Sequence, residues 1–577
     1  MEKWVVSAKR ADFRGIAERF EIDQVTARLI RNRDVIGDKE IESYLYGDRY
    51  MLHDPHLLKD ADKLTMILKQ KIQEQKKIRI IGDYDIDGVN ASYILLKGLR
   101  RCGAVVDVEI PDRMKDGYGI NEHLINYAYE EGVDTIITCD NGIAAVEQIK
   151  LAKELGMTVL ITDHHEPQEM LPAADALVNP KQADCSYPYK ELCGAAVAFK
   201  VIQCLYERMK IPEEEAFAFL EFAAFATIGD VMDLNGENRI LVKEGLRMLN
   251  RTGNFGMAAL IRENGLENSE IKAYHVGFVL GPCINAGGRL DTAKRSLALL
   301  LSESEAEAVR MAQELKALND ERKDMTQDSV DRAVALIEEQ GLYKDKVLVV
   351  YLPECHESLA GIVAGRIRER YHRPVFVLTD AAEGVKGSGR SIEAYSMFEE
   401  MSKCKDVFTK YGGHPMAAGL SLPKEKVEEF RCRINEQSTL TEEDFIPKVV
   451  IDVPMPISYL TEERIEQLDL LEPFGKGNTK PLFAEKNLDI LNLRILGKNR
   501  NTIKMQVKSQ DGVMMDALYF GDVEHFLEYL TEKFGKAELE KCFQNRMNDI
   551  CMSFVYYPSV NEFRNQKTIQ IIVSYYC

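Results

Sequence analysis

Three short apolar runs in the first third of the chain each break off in oxygen and imidazole ligands. Residues 78–82 lead into Asp83-Tyr84-Asp85-Ile86-Asp87-Gly88, residues 135–139 into Asp140-Asn141-Gly142, and residues 157–162 into Asp163-His164-His165. A parallel strand buried on both faces reads as a continuous apolar run, and open α/β sheets bind ligands outside the carboxyl ends of their strands. Three such strands aim hard, mostly anionic ligands into one crevice, a geometry that calls for a divalent metal. Helical patterns over 62–75, 89–101, 121–130 and 144–155 alternate with strand patterns at 78–82, 105–110, 135–139 and 157–162. That alternation predicts an α/β fold with a doubly wound parallel sheet.

The chain is 577 residues long, too long for one core, so three or four domains are expected. Residues 1–50 read as an N-terminal helical arm broken at Gly15, Gly37 and Gly47, and 51–265 as the catalytic α/β domain, mainly helical from 193 on. A connecting segment, 266–342, holds a long amphipathic helix at 304–340, with Val309, Leu315, Leu318, Val330, Val334 and Leu336 among many charges. Such a helix suits a bridge between domains. Strands restart at 347–352 and 375–378 with a helix at 359–370 between them, giving a second α/β domain over 343–446. After Pro447 come short alternating strands at 449–453, 488–496, 502–508, 513–520 and 568–574, which predict a small β-barrel of the oligonucleotide-binding kind over 447–577.

No apolar run reaches the roughly 18 residues of a membrane span, and the first residues lack the apolar stretch of a secretory signal. Twelve scattered cysteines without paired zinc spacing fit a reducing, cytoplasmic compartment. A net charge of -19 argues against a chain that coats nucleic acid non-specifically, but leaves room for a local basic groove.

In Asp83-x-Asp85-x-Asp87, alternate residues of an extended strand end point the same way, so the carboxylates can share a metal. Gly88 permits a sharp turn into a helix whose N-terminus also favours phosphate. A calcium loop is the rival reading, but Ile94 stands where that loop needs its bidentate Glu, and a strand precedes the motif. In Asp163-His164-His165, one imidazole falls beside the carboxylates while the other is free to hydrogen-bond or transfer a proton. The bland alternative is a turn with two exposed histidines, which the chain's mere ten histidines disfavour. Mixed Asp and His ligation suits manganese or magnesium with waters better than a closed zinc site. Asp230 ends a small, apolar helix and can close the metal set from another side; alone it would be an ordinary surface Asp.

Together these residues resemble the phosphoesterase superfamily named for its Asp-His-His motif, and later blocks resemble its RecJ-type single-stranded-DNA exonucleases. Those blocks are Leu192-Cys193-Gly194-Ala195-Ala196, Gly281-Pro282-Cys283-Ile284-Asn285-Ala286-Gly287-Gly288-Arg289, Cys355-His356-Glu357-Ser358, Gly387-Ser388-Gly389-Arg390, Tyr411-Gly412-Gly413-His414 and Leu471-Glu472-Pro473-Phe474-Gly475. The resemblance spans roughly residues 50 to 525. It implies 5′→3′ exonucleolytic hydrolysis of single-stranded DNA to nucleoside 5′-monophosphates, in DNA repair and recombination. Two divalent ions, Mn2+ or Mg2+, fit that chemistry. By position the metal ligands are Asp85, Asp87, Asp140, His164 and Asp230, with Asp83 a weaker candidate; His165 and Asp140 carry catalytic roles. Ser388 and Arg390 are placed by the resemblance in the pocket for a terminal 5′-phosphate, with Arg289 and Arg113 as further phosphate ligands. Surface placement in a solvated loop is the plain alternative for Arg113. Tyr118 suits stacking on a base, against ordinary loop packing. His414 reads as a phosphate neighbour or a helix cap, and His356 as a second cleft histidine. Implied partners are 5′-phosphorylated single-stranded DNA and a helicase or single-strand-binding protein.

Cys283 departs from the arginine common in its block, and Asn501-Thr502 lacks the barrel's frequent His. Two rival readings stand beside the exonuclease. One is a phosphodiesterase for short RNA oligonucleotides or cyclic dinucleotides, disfavoured by the region after 447. The other is a non-catalytic strand-binding scaffold, disfavoured by a filled ligand set.

Overall fold

The computed structural model describes residues 2–113, 115–117, 119–497, 499–563 and 566–577. It divides into two units, residues 49–446 and a second made of 1–48 with 447–577.

The larger unit is organised around a five-stranded sheet. Its strands are β1 (Lys77–Ile81), β2 (Val105–Glu109), β3 (Thr135–Cys139), β4 (Thr158–Thr162) and β5 (Ala176–Val178), all parallel in the order β2-β1-β3-β4-β5. The central strands are largely apolar because both faces are covered, and the one charge in the middle of β1, Arg79, pairs with Asp107. Ile80, Ile137 and Leu160 enter one core with helices α1 (Ile86–Arg101) and α2 (Gly194–Met209), while Ile81, Ile136 and Ile161 enter another beneath helices Glu122–Glu130 and Val146–Glu154. The helical stretch that follows α2 is split into Glu213–Phe217 and α3 (Leu220–Gly229).

Farther along, a π-helix, Val276–Leu280, runs directly into α4 (Gly281–Leu290). The expected long helix is α5 (Glu305–Gln340), N-capped by the Ser304 side chain and stopped at Gly341 with φ 68°. Ala308, Ala312 and Leu315 of α5 pack into the core of the first sheet, whereas Ala333 and Ile337 pack under the second. That second sheet contains β6 (Leu348–Tyr351), β7 (Val375–Asp380), β8 (Val385–Arg390), β9 (Lys410–His414) and β10 (Ala417–Leu422), in the order β9-β10-β8-β7-β6. Only β6 and β7 pair in parallel; the other pairs are antiparallel. β8 and β9 are glycine-rich and carry little apolar alternation, which hides them from a sequence reading.

In the smaller unit, β11 (Phe483–Leu496), β12 (Thr502–Lys508), β13 (Met514–Tyr519), β14 (Cys551–Phe563) and β15 (Gln566–Tyr576) close on themselves in the order β11-β12-β13-β15-β14-β11. Closure removes the exposed edges that an open sheet would leave. Residues 1–48, expected as a separate helical arm, are instead part of this unit. Strand Lys3–Val6 pairs in parallel with Lys448–Ile451, and Ile16, Leu29, Ile30, Ile41 and Leu45 share a core with Phe483, Phe526 and Tyr556. Three helices of 8 to 9 residues are too short to hold together alone and gain their stability from that shared core. Among the described residues no helix is long and apolar enough to cross a membrane.

Candidate metal centre

The ends of β1, β3 and β4 deliver the ligands, and the first turns of α1 and α2 hold them in place. Asp85 caps α1, its Oδ1 accepting from the backbone N–H of Asp87 at 2.9 Å and of Gly88 at 3.1 Å. Gly88 is obligatory here: a Cβ would stand 2.5 Å from the Asp83 carbonyl oxygen. Asp87 is gripped from across the fold, accepting from Gly194 N at 2.6 Å and Ala195 N at 2.7 Å, the first residues of α2. The positive end of that helix favours a fixed carboxylate charge. Asp140 follows β3 with φ 59°, and Asn141 anchors its turn by donating to Ile81 O and Cys139 O. Gly194 leaves room for it, since an added Cβ would lie 2.7 Å from the Asp140 Cβ.

Asp163 does not point at the cluster as a ligand. Its Oδ1 accepts from His164 N, His165 N and, at 2.8 Å, His165 Nδ1, and its Oδ2 accepts from Ile143 N. It therefore fixes the rotamer and tautomer of His165, a role the sequence reading did not assign to it.

His164 Nε2 lies 3.1 Å from Asp140 Oδ1, 3.5 Å from Asp87 Oδ2 and 3.8 Å from Asp230 Oδ2. Three overlapping sets have ligand atoms within 4.8 Å of one another: Asp83, Asp85 and Asp140; Asp87, His164 and Asp230; Asp140, His164 and His165. Among the described residues, both Asp83 carboxylate oxygens and His164 Nδ1 are buried with no hydrogen bond of good geometry. Buried carboxylates in such number, some lacking donors, are costly unless a cation joins them, and hard oxygen donors with one or two imidazoles fit manganese or magnesium.

Proton affinities agree. Burial, reinforced by the Asp85 charge, pushes Asp83 well above the usual carboxylate range. Burial and the neighbouring Asp87 do the same to Asp140, and raise Asp85 less far. Burial lowers His164, keeping it in the neutral form that ligates. For His165 burial opposes the charge, but the Asp163 hydrogen bond and the carboxylates around it win, raising it to about 9.

The phosphate candidates fall into two groups. Arg113 lies over the Tyr84 ring at 4.8 Å, and Arg289, at the end of α4, donates to Ser358 O at 2.8 Å. Burial, then Arg113, lowers Arg289 to about 10. Ser388 and Arg390 sit on β8, where Gly361 keeps its face open: a Cβ there would be 2.9 Å from both Ser388 Oγ and Arg390 Nη2. Arg390 Nη1 donates to Gly389 O at 2.7 Å. His356 engages Ser358 Oγ at 2.8 Å. His414 ends strand β9, exposed and opposite Ala417, so it caps no helix. Tyr118 lies outside the described residues.

The chain matches the description of the DHH family N-terminal domain over residues 77–227, of the DHHA1 domain over 344–439 and of the RecJ OB domain over 451–575. The single-stranded-DNA-specific exonuclease RecJ of Bacillus subtilis (strain 168) is 37% identical over 576 residues, covering 99% of this chain and 70% of that protein. RecJ of Escherichia coli (strain K12) is 32% identical over 576 residues, 96% of each chain. The crystal structure of RecJ in complex with Mn2+ from Thermus thermophilus superposes with a TM-score of 0.82 at 27% identity, covering 100% of this chain and 79% of that one. The Mg2+ complex of the same protein gives 0.77 at 26% identity, with 100% and 78% covered.

Proposed function

The chain belongs to the RecJ family of single-stranded-DNA-specific exonucleases, and on that footing we propose that it hydrolyses single-stranded DNA from the 5′ end to nucleoside 5′-monophosphates. The observation that carries this reading is the convergence of Asp83, Asp85, Asp87, Asp140, His164 and Asp230 in overlapping sets of ligand atoms within 4.8 Å.

Held by those six side chains, two Mn2+ or Mg2+ ions would supply Lewis acidity at the scissile phosphate and acidify the attacking water. The protein's own groups do the rest. The N–H groups opening α2 hold the Asp87 carboxylate in place. Asp163 holds His165 by Nδ1, and its charge favours a proton on the imidazole, which Nε2 passes to the departing 3′-oxygen of the terminal nucleotide. Water adds to phosphorus as the bond to that 3′-oxygen breaks, so the shortened strand keeps a new 5′-phosphate. Arg390 and Ser388 bind the terminal 5′-phosphate in the bidentate manner that suits guanidinium, and the span from them to the metal ligands sets the cut at one nucleotide. Arg289 and Arg113 offset the charge of the phosphates between.

The closed barrel of the smaller unit favours long strands over the short RNA reading, and the complete ligand set disfavours a scaffold. A helicase or single-strand-binding protein that exposes the strand is the partner this activity needs, in the cytoplasm. The test uses a 5′-phosphorylated, 3′-labelled single strand with Mn2+. Mononucleotide release from the 5′ end is expected, abolished in Asp140→Ala while strand binding persists. Binding without shortening supports the scaffold; cutting of di- to tetranucleotides alone supports the RNA enzyme.

A further inference from the structure

The π-helix ahead of α4 and the helical turn before it, Ala273–His275, carry two aromatic rings that the core does not use. Tyr274 is 64% exposed and Phe278 71%, and their rings stack on each other at 5.1 Å with an interplanar angle of 27°. Single exposed aromatics are ordinary surface features; a preformed stacked pair with open faces is not. Short π-helical turns inside helices recur at functional sites. This one is held at its start by His275 Nδ1, which accepts from Lys272 N at 3.0 Å.

Its placement gives the pair a direction. A Cβ at Gly277 would lie 3.7 Å from Ile228 Cγ2, two residues before Asp230, and one at Gly281 would lie 3.1 Å from Ile86 Cδ1, next to Asp85 and Asp87. Midway along α4, Asn285 Oδ1 accepts from Ile86 N at 2.9 Å, and at the far end Arg289 bonds Ser358 of the domain that carries β8. Thus α4 runs alongside the metal ligands, with the arginine at one end and the aromatic pair just beyond the other, roughly 17–22 Å away at 1.5 Å per residue.

We propose that Tyr274 and Phe278 form a stacking platform for bases of the single strand on the 3′ side of the cut. The inference rests on the exonuclease reading and adds to it the surface that holds the undigested strand. With the terminal phosphate drawn toward Arg289 and Arg390, the remaining strand leaves the metal ligands past the opposite end of α4. Aromatic faces accept any base, so the platform grips without reading sequence. Each cut moves the strand by one nucleotide, and a stack that tolerates every base permits that movement.

The test places 2-aminopurine, whose fluorescence falls on stacking, at successive positions of a single strand bound to the full-length, metal-free protein. Quenching is expected at internal positions and is lost in Tyr274→Ala/Phe278→Ala. With Mn2+, Phe278→Ala should raise KM for a long strand about tenfold, equivalent to ~1.4 kcal/mol, within the ~1–3 kcal/mol of one stacked base, and leave kcat unchanged. Phe278→Trp should restore KM, which separates stacking from damage to the fold. Unchanged KM and quenching in the alanine variants, with strand degradation intact, would overturn the platform and leave the exonuclease standing. A wild-type protein that binds no strand would overturn both.

Discussion

Gly194→Ala tests whether the cluster depends on one close backbone approach. Gly194 does two things: its N–H holds Asp87 Oδ2 at 2.6 Å, and its missing side chain admits Asp140. An added Cβ would meet the Asp140 Cβ at 2.7 Å and its Cα and Oδ1 at 3.0 Å. Relieving the 2.7 Å contact to an ordinary 3.4 Å moves Asp140 by about 0.7 Å. Neither wall yields easily, since Asp140 is pinned by the Asn141 bonds and α2 by its buried face. Overpacking of this kind costs about 1–3 kcal/mol of stability. In catalysis a misplacement near 1 Å costs about 10²-fold, so a 30- to 100-fold loss in kcat/KM is expected, by that same scale. The assay is Mn2+-dependent release of mononucleotides from a 5′-phosphorylated strand, with Mn2+ affinity measured by calorimetry. Gly253→Ala is the control, since a Cβ there meets nothing within 4 Å. Wild-type kcat/KM and metal affinity in Gly194→Ala would refute the close-packing argument.

Asp163→Asn removes the charge that orients and protonates His165; activity should fall about 10²-fold or more, as for a lost general acid, with the alkaline limb of the pH profile shifted toward neutrality, and an unshifted limb would contradict the proton-donor role. The metal-free protein should lose stability as pH rises from about 6.5 to 9. In that window native His165, raised to about 9, holds a proton that the unfolded chain releases. Mn2+ at about 100 times its Kd should add ~2.7 kcal/mol; urea midpoints of the metal-free protein that rise with pH would reverse the sign. Arg390→Ala should cost more on 5′-phosphorylated than on 5′-hydroxyl ends, and equal losses on both would remove it from the phosphate pocket. Lys200→Met strands Glu237, which Lys200 Nζ meets at 2.8 Å in full burial; about 3–5 kcal/mol of destabilisation is expected, read by denaturant unfolding, and a neutral effect would show that Tyr187 and His53 N suffice for that carboxylate.

Wherever short-range pattern dictates structure, the chain is legible. β1, β3 and β4 are mainly apolar because both of their faces are buried, and the metal-ligand clusters begin just past their carboxyl ends. Helix α5 announces itself by its apolar period and its Gly341 stop, and the barrel by alternation in β12 and β13. Glycine-rich β8 and β9 leave no such trace, nor does Lys3–Val6, whose partner lies more than 440 residues away.

The site divides along the same line. Residue order alone put acids and imidazoles at three strand ends, since the alternation of carboxylates and the paired histidines are local facts. Which of them ligate and which orient is decided by distant backbone. Asp87 is held by the start of α2, Asp163 turns inward to His165 and Ile143 N, and the void at Gly194 belongs to Asp140. The N-terminal helices likewise carry their apolar faces in sequence, yet only folding brings them the barrel core that buries those faces. Local spacing specifies the donor atoms, and packing between remote segments sets their directions, because a hydrogen bond or a close contact has no signature until both of its sides are in place.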